Sequence, residues 1–208
     1  MGPPWQHGLM AHLHTAPGAG DVTASALVVR ETDAGLVALV HQHKTLPWVL
    51  QVGGHVEHTE NPWTALGHEL AEESGYDLAD LEVLQPYDPA VMQTTTSRTL
   101  PVPAAMEVHW ITADHFHTDI EYVLVAHDLP TRPPADGESP DLRWCTLDEL
   151  ANDPAVPPSL VAVYRLAMTV LWTSWARYPA TTWSVDPPDR AQVVAPEVPR
   201  PSSTAEPT

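Results

Sequence analysis

Two apolar runs rich in β-branched residues open the regular part of the chain. Residues 23–31 (TASALVVRE) and 35–42 (GLVALVHQ) are separated only by a short polar segment, a pattern typical of a hairpin or of neighbouring strands. Further runs of the same kind lie at 81–87, 106–114 and 120–128. The pattern therefore predicts a β-rich domain whose first two elements are strands.

A helical pattern follows the first two strands. Asn61 suits a helix N-cap, Pro62 suits the first helical turn, and Gly75 suits the residue just beyond a helix end. The sequence therefore predicts a helix over residues 62–74.

The last third of the folded region predicts one more strand and a long helix. Residues 142–150 indicate a short strand that runs into a helical turn. The apolar run at 159–175 contains Arg165 and is short for a bilayer span, so we expect a buried helix that covers the sheet or a partner. Because strands and helices alternate without an internal repeat, the sequence predicts a mixed α/β domain.

Composition separates this domain from two tails. Residues 1–18 are rich in Gly, Pro and His without periodicity, and residues 179–208 are rich in Pro, Ser and Thr. Such segments do not bury enough apolar surface to pack. We therefore expect a flexible N-terminal segment at 1–18, a folded domain at 19–178 and a disordered, Pro-rich tail at 179–208.

The net charge and the cysteine content limit the classes of partner and the cellular compartment that we expect. The chain has 9 Lys+Arg against 27 Asp+Glu, a formal net charge of -18, so we expect binding neither to nucleic acid nor to a membrane. The first residues lack the pattern of a secretory signal. Cys145 is the only cysteine, which excludes an internal disulfide. We expect a cytoplasmic protein, and a homodimer is compatible with the apolar final helix.

Three carboxylates in the first predicted helix oppose the local electrostatics. Glu69, Glu72 and Glu73 are three and four residues apart, so in a helix they share one face and repel one another. They also lie near the negative end of the helix dipole. A divalent cation such as Mg2+ or Mn2+ reverses this balance because carboxylate oxygens are its preferred ligands. The alternative for an arbitrary trio of glutamates is a solvated acidic face.

The surrounding stretch resembles the signature of the Nudix hydrolases, G-x5-E-x7-R-E-U-x-E-E-x-G-U, in which U is a bulky apolar residue. The matching positions are Gly54, Glu60, Glu69, Leu70, Glu72, Glu73 and Gly75. His68 stands in place of the signature arginine, and Tyr76 stands in place of the final aliphatic residue. The resemblance extends from about residue 20 to about residue 177.

This resemblance implies an α/β/α sandwich in which helices flank a mixed β-sheet. It also implies hydrolysis of a nucleoside diphosphate linked to another group X, with Mg2+ as cofactor and Mn2+ as a substitute. The substrate would be a small nucleotide or diphosphate. In such chemistry metal ions neutralise phosphate oxygens and activate a bound water, and a carboxylate accepts the proton of that water.

The resemblance also assigns roles to the signature residues. Glu72 and Glu73 would be metal ligands, and Glu69 would be a ligand or the general base. The carbonyl of Gly53 would add a further ligand. Gly53 and Gly54 would also contact the substrate, since a backbone without side chains can approach a diphosphate closely.

A further glutamate is often supplied in this family by a loop ahead of a W-x-x-L-D-E-L segment. That segment begins here at Trp144, and Glu138 lies six residues before it. Glu138 is therefore a candidate second base or metal ligand. The alternative is an exposed loop acid.

His68 is the departure from the signature with the largest consequence. An arginine keeps its charge and offers a bidentate fork, whereas a histidine is only partly charged near neutral pH. If His68 orients Glu60 or Glu69, as the signature arginine is thought to do, its effect will be weaker and pH-dependent.

Two other classes of function compete with the hydrolase. The first is a Nudix-fold nucleotide-binding or sensing module in which His68 has weakened turnover. The three crowded glutamates argue for the enzyme, because a module that binds without metal has no need of them. The second is an acidic cation-binding domain, which leaves Gly53, Gly54 and Gly75 unexplained.

More candidates lie beyond the signature. His115, His117 and Asp119 occupy alternate positions, which places them on one side of an extended segment. The two histidines are candidates for substrate binding. Together with His109, the three residues are also candidates for a transition-metal site, since imidazole suits Zn2+. Aromatic residues that could stack on a base are Trp48, Tyr87, Trp110, Phe116 and Tyr122.

Overall fold

One mixed β-sheet forms the centre of the protein in the computed structural model, which describes residues 13, 14, 16–92 and 99–183. In this part of the chain the strands are β1 (Ala19–Thr32), β2 (Gly35–Gln42), β3 (Val49–Leu50), β4 (Val52–His55), β5 (Leu81–Gln85), β6 (Ala105–Thr112), β7 (His115–Ala126), β8 (Leu142–Cys145) and β9 (Ala176–Pro179). The α-helices are α1 (Pro62–Glu69), α2 (Leu147–Asn152), α3 (Pro158–Leu166) and α4 (Trp172–Ser174).

The two longest strands, β1 and β7, run parallel through the middle of the sheet. The first half of β1 pairs with β4, and its second half pairs with β2. In the same way, the first half of β7 pairs with β6 and its last residues pair with β5. Strands β3 and β8 pair with β2, and β9 pairs with β5, all antiparallel. The central pair therefore holds four shorter strands in place, two on either side.

Helices cover both faces of the sheet, which confirms the predicted α/β/α architecture. Side chains alternate along β1 and β7, so even-numbered and odd-numbered residues face opposite sides. On the even-numbered side, Val28 of β1 and Leu124 of β7 share a buried apolar cluster with Trp63 of α1. The odd-numbered side packs on α3 through residues such as Val29 and Tyr164. Two buried apolar layers thus enclose the sheet.

The predicted hairpin and signature helix are both present. Residues Thr32 and Gly35 close the antiparallel pair of β1 and β2. The side chain of Asn61 accepts the N–H groups of Trp63 and Thr64 at 2.9 and 3.1 Å, so it caps α1 as expected. Gly75 takes the left-handed conformation, with φ of 77°, that ends the helix.

The end of the signature helix differs from the prediction of a uniform α-helix. Regular α geometry ends at Glu69, and Leu70–Ser74 forms a π-helical turn. The Ser74 hydroxyl donates to the Leu70 carbonyl at 2.6 Å, and hydroxyl groups that bond back four residues disturb regular helices. Such wide turns frequently occur at functional sites, and this one carries two of the three signature glutamates.

The predicted final helix covers the sheet. It is formed by α3, a π-helical turn at Ala167–Leu171, and α4. Tyr164 is buried and donates its hydroxyl to the Leu39 carbonyl at 2.6 Å, which ties the helix to β2. Among the described residues, every helix is too short or too polar to cross a bilayer.

Two boundaries differ from those predicted. Strand β7 begins at His115 rather than at residue 120, because its polar first half pairs with both β1 and β6. The domain also continues past residue 178, since Pro179 ends β9 and Ala180–Trp183 forms a short helix whose Trp183 is buried in the core. The expected tail therefore cannot begin at residue 179. Residues 1–12 and 184–208 lie outside the described residues, and their expected flexibility stays a prediction.

Candidate active site

The three signature glutamates gather at the end of α1, beside strand β4. Glu73 is buried with 7% of its surface exposed, and its Oε2 accepts the backbone N–H of Gly53 at 3.0 Å. Glu69 is half-buried and Glu72 is exposed. The site thus has one carboxylate fixed in the protein and one open to solvent.

Gly54 allows Glu69 to lie directly against the backbone of β4. A Cβ atom added to Gly54 would be 2.0 Å from Glu69 Oε1, far inside van der Waals contact. Any other residue at this position would push the carboxylate away. The glycine of the signature is therefore required by the close approach of a glutamate.

The carboxylates are held in an environment that opposes their ionisation. Burial, followed by the charges of Glu72 and Glu138, raises the pKa of Glu69 to about 7. Burial also raises the pKa of Glu73 to about 8, although the Gly53 hydrogen bond lowers it, and the charges of Glu69 and Glu138 add smaller increases. At this position the protein therefore favours the neutral form of each carboxyl group over the charged form.

Glu138 comes to the same site from the loop ahead of β8, as the sequence predicts. Its charge contributes to the raised pKa of both Glu69 and Glu73. Its Oε1 lies 2.6 Å from Nζ of Lys44, a residue that the sequence reasoning missed. Lys44 lies in the loop between β2 and β3, where no local pattern marks it. This ammonium group is the cation nearest to Glu138 that the described residues provide.

Two further residues of this corner were missed in the sequence. His41 is buried in β2, and its Nε2 lies 3.6 Å from Oε2 of Glu73. Burial lowers the pKa of His41. Burial also lowers the pKa of His43 to about 4, with further contributions from His41 and Lys44. Neutral imidazoles therefore line the site without adding positive charge.

His68 lies where it can act on Glu60. Its Nδ1 is in hydrogen-bond contact with Glu60 Oε1, while most of its side chain is exposed. Glu60 also accepts the N–H of Glu57 at 3.2 Å. Of the two glutamates that His68 was expected to orient, the structure pairs it with Glu60.

A cavity of about 850 Å³ lies on the α3 side of the sheet, next to the glutamates. Gly53 and Gly54 line it, so β4 separates the cavity from the signature helix. Of the histidines predicted to bind substrate, His117 lines the cavity, whereas His115 is not part of its wall. Of the candidate aromatics, Trp48 and Trp110 line it, while Tyr122 is buried against Trp63 in the core.

The cavity has a buried polar floor, of which the sequence analysis named only Asp119. Asp119 accepts hydrogen bonds from Thr23 at 2.9 Å and from Ser25 at 2.8 and 2.9 Å. Gln51 donates to the same carboxylate at 3.3 Å. The signal was available, because Thr23 and Ser25 interrupt the odd-numbered positions of an otherwise apolar strand.

The donor set of the signature fits a hard divalent cation. Glu69, Glu72 and Glu73 offer only carboxylate oxygens, which Mg2+ and Mn2+ prefer. Burial and neighbouring carboxylates raise the pKa of Glu69 and of Glu73, so a cation at this position would stabilise their charged forms.

The NUDIX domain family model matches residues 21–166, well over half of the chain. The chain belongs to the Nudix family. Among curated proteins, none matches this Nudix chain. The match ends at residue 166, so β9 lies beyond the matched residues.

Solved structures support the fold of this Nudix domain. A hydrolase of the family from Clostridium perfringens superposes with a TM-score of 0.61 at 24% identity, covering 71% of this chain and 95% of that one. An Ap4A hydrolase from C. elegans in a binary complex gives 0.54 at 14% identity, covering 70% and 93%. The Nudix domain of Shewanella oneidensis NrtR, complexed with ADP ribose, gives 0.54 at 16%, covering 73% and 90%. At these identities the similarity establishes the fold alone.

Proposed function

We propose that this Nudix domain hydrolyses a diphosphate linkage in a nucleoside diphosphate-X substrate by metal-assisted attack of water. The observation that carries the proposal is the meeting of three signature glutamates with Gly53 and Gly54, which also line the 850 Å³ cavity. A cavity of this size suits a small-molecule ligand. Nucleoside triphosphates, nucleotide sugars and related diphosphates are the candidate substrates.

Glu72 and Glu73 would hold Mg2+, or Mn2+ in its place. When bound, the cation neutralises phosphate oxygens and activates a water molecule. The Gly53 N–H points to Glu73 and thus away from partner strand β1. In an antiparallel strand the N–H and C=O of one residue face the same edge, which supports the Gly53 carbonyl as a further ligand.

Glu69 and Glu138 remain for proton transfer and further coordination. We assign Glu69 as the proton acceptor, because the gap at Gly54 places its carboxylate directly behind the cavity wall. Glu138 is then a second ligand or base, and Lys44 holds its carboxylate at the edge of the site.

The likeness to nucleotide-binding structures supports the substrate class. One structural neighbour is described as an Ap4A hydrolase, and another as a domain complexed with ADP ribose. Both ligands contain adenosine and a chain of phosphates, in keeping with a catalytic corner joined to a cavity. We therefore place adenine nucleotides of this kind first in a substrate panel.

Phosphate or pyrophosphate release from such a panel tests the proposal. Nucleoside triphosphates, ADP-ribose, other nucleotide sugars and dinucleoside polyphosphates are assayed with and without Mg2+ or Mn2+. We expect turnover of at least one compound only with metal, and its loss in Glu72→Gln. If no compound turns over while ligand binding is still detected, the sensing module replaces the hydrolase.

His68→Arg tests the role of the unusual signature residue. We expect the variant to exceed the wild type in turnover at alkaline pH, because an arginine keeps its charge there and offers a bidentate fork to Glu60. The measurement is kcat/KM against pH, and identical profiles would exclude a charged role beside Glu60.

A further inference from the structure

A second cluster of ligand-type side chains surrounds Asp21, away from the signature glutamates. Asp21 in β1 and His115 and His117 in β7 are all buried, with exposed fractions of 1%, 6% and 2%. One ligand atom from each lies within 4.8 Å of those from the other two. The cluster is assembled by the parallel pairing of β1 and β7, which sets Asp21 directly opposite His117.

Two distances around Asp21 match the spacing of ligands in a tetrahedral zinc site. Asp21 Oδ2 lies 3.3 Å from His115 Nε2 and 3.4 Å from Nε2 of His55, which ends β4. Bonds from Zn2+ to nitrogen or oxygen are about 2.0–2.1 Å long, so neighbouring ligands in a tetrahedron are about 3.3 Å apart. Asp21, His115 and His117 can thus converge on one ion. His55 contacts Asp21 but lies outside this group of three, so its side chain must move to become a fourth ligand.

The aspartate is held in place by its own hydrogen bonds. His14 Nδ1 lies 2.7 Å from Asp21 Oδ1, and the backbone N–H groups of Leu13 and His14 donate to the carboxylate at 3.0 Å each. Ligating carboxylates are usually oriented by such secondary contacts. The two His14 contacts go to Oδ1, whereas Oδ2 accepts the Leu13 N–H and also faces His55 and His115.

The chemistry of the cluster separates it from the signature site. Three imidazoles and one carboxylate suit Zn2+, whereas Mg2+ prefers an all-oxygen set. His55 pairs with Thr23 at the end of β4, and both residues line the cavity rather than contributing to the carboxylate cluster at the end of α1. Two cations of different chemistry can therefore be bound by different residues of one domain.

We propose that Asp21, His115 and His117 bind one Zn2+ ion, and that His55 moves to the ion as the fourth ligand. The ion then fastens the starts of β1 and β7 to the end of β4. Because His55 and His117 also line the cavity, the bound ion lies beside the cavity wall. The site is independent of the proposed hydrolysis.

Metal binding to the untagged full-length protein tests the site directly. After removal of metals with a chelator, Zn2+ is titrated by calorimetry, and bound zinc is measured by elemental analysis. We expect one equivalent of tightly bound Zn2+ and a rise in the Tm. Co2+ in the same site should give the intense visible absorption of tetrahedral coordination. A wild-type protein without tight zinc, or with only the weak spectrum of six-coordinate Co2+, overturns the proposal.

Variants then locate the ion. Asp21→Asn and His115→Gln approximately preserve side-chain size, and each should weaken Zn2+ binding by at least about a hundredfold. His127→Gln is the control, because it changes an exposed histidine paired with Glu82. It should have no effect on Zn2+ binding. Glu73→Gln should retain zinc. Loss of zinc in Glu73→Gln with retention in the first two variants would assign the ion to the signature site and overturn the proposal. Circular dichroism without zinc checks that each variant folds. If a variant does not fold, the cobalt spectrum of the wild-type protein alone tests the proposal.

Discussion

Replacing Glu73 by glutamine is expected to lower kcat by about three orders of magnitude at saturating Mg2+. Glu73 is the buried carboxylate of the signature, and its Oε2 accepts the Gly53 N–H at 3.0 Å. Glutamine keeps the volume and the hydrogen bond but removes the charge that holds the cation. A bound metal contributes several kcal/mol to transition-state stabilisation, and about 1.4 kcal/mol corresponds to a factor of ten in rate.

The measurement is the initial rate on the best substrate of the panel over a range of Mg2+ concentrations. Glu31→Gln is the matched control, because Glu31 is an exposed carboxylate at the far end of β1 and its replacement changes the net charge equally. The control should retain the wild-type rate. A Glu73→Gln rate within tenfold of the wild type would remove Glu73 from the metal site.

Glu121→Gln is expected to stabilise the protein at alkaline pH. Glu121 is 3% exposed in β7 and lines the cavity. Burial, followed by the charges of Asp119 and Glu107, raises its pKa to about 8. Tyr164, which is fully buried, is the other titratable group coupled to it. The folded protein therefore keeps Glu121 protonated at a pH at which the unfolded chain ionises it.

This difference in proton binding decides whether the free energy of unfolding rises or falls with pH. Because the folded-state pKa lies above the unfolded value of 4.5, the unfolded state loses its proton first as the pH rises. The free energy of unfolding should fall between about pH 4.5 and pH 8, by an amount on the order of a few kcal/mol. Glutamine does not titrate, so the variant lacks this loss.

Thermal unfolding in the absence of divalent metals measures the effect. We expect the Tm of Glu121→Gln to exceed that of the wild type by about 5–10 °C at pH 9, with little difference at pH 5. Glu69 and Glu73 titrate in the same window, but they are common to both proteins and cancel in the comparison. Parallel Tm curves across the pH range would show that Glu121 is already ionised in the folded state.

The local parts of the structure were readable from the sequence. Asn61 and Gly75 mark the two ends of the signature helix, because capping depends on residues next to the helix. The β1–β2 hairpin was equally visible in the apolar runs. Glu138 was located by its spacing from Trp144, and the structure brings its charge to the glutamates. The positions of the residues in the signature corner were therefore largely predictable, and their roles stay predictions.

Contacts between strands that lie far apart in the sequence could not be predicted from local patterns. Asp21 lies just before the first predicted strand, and nothing near it points to His115, which the parallel pairing of β1 and β7 brings beside it. Lys44 lies in a loop, where neither periodicity nor capping applies. The π-helical turn depends on a side-chain hydrogen bond from Ser74. Local patterns record helix ends and buried faces, whereas sheet order is decided by packing of the whole chain.

The parallel pairing of β1 with β7 also has a consequence for how the chain folds. The bonds of Asp119 to Thr23 and Ser25 join residues 96 and 94 positions apart. Closing so long a loop costs chain entropy before any contact repays it, and domains rich in such contacts fold slowly. The hairpin and the capped helix can form early from local interactions. The polar floor of the cavity and the proposed zinc ligands come together only when β7 pairs with β1.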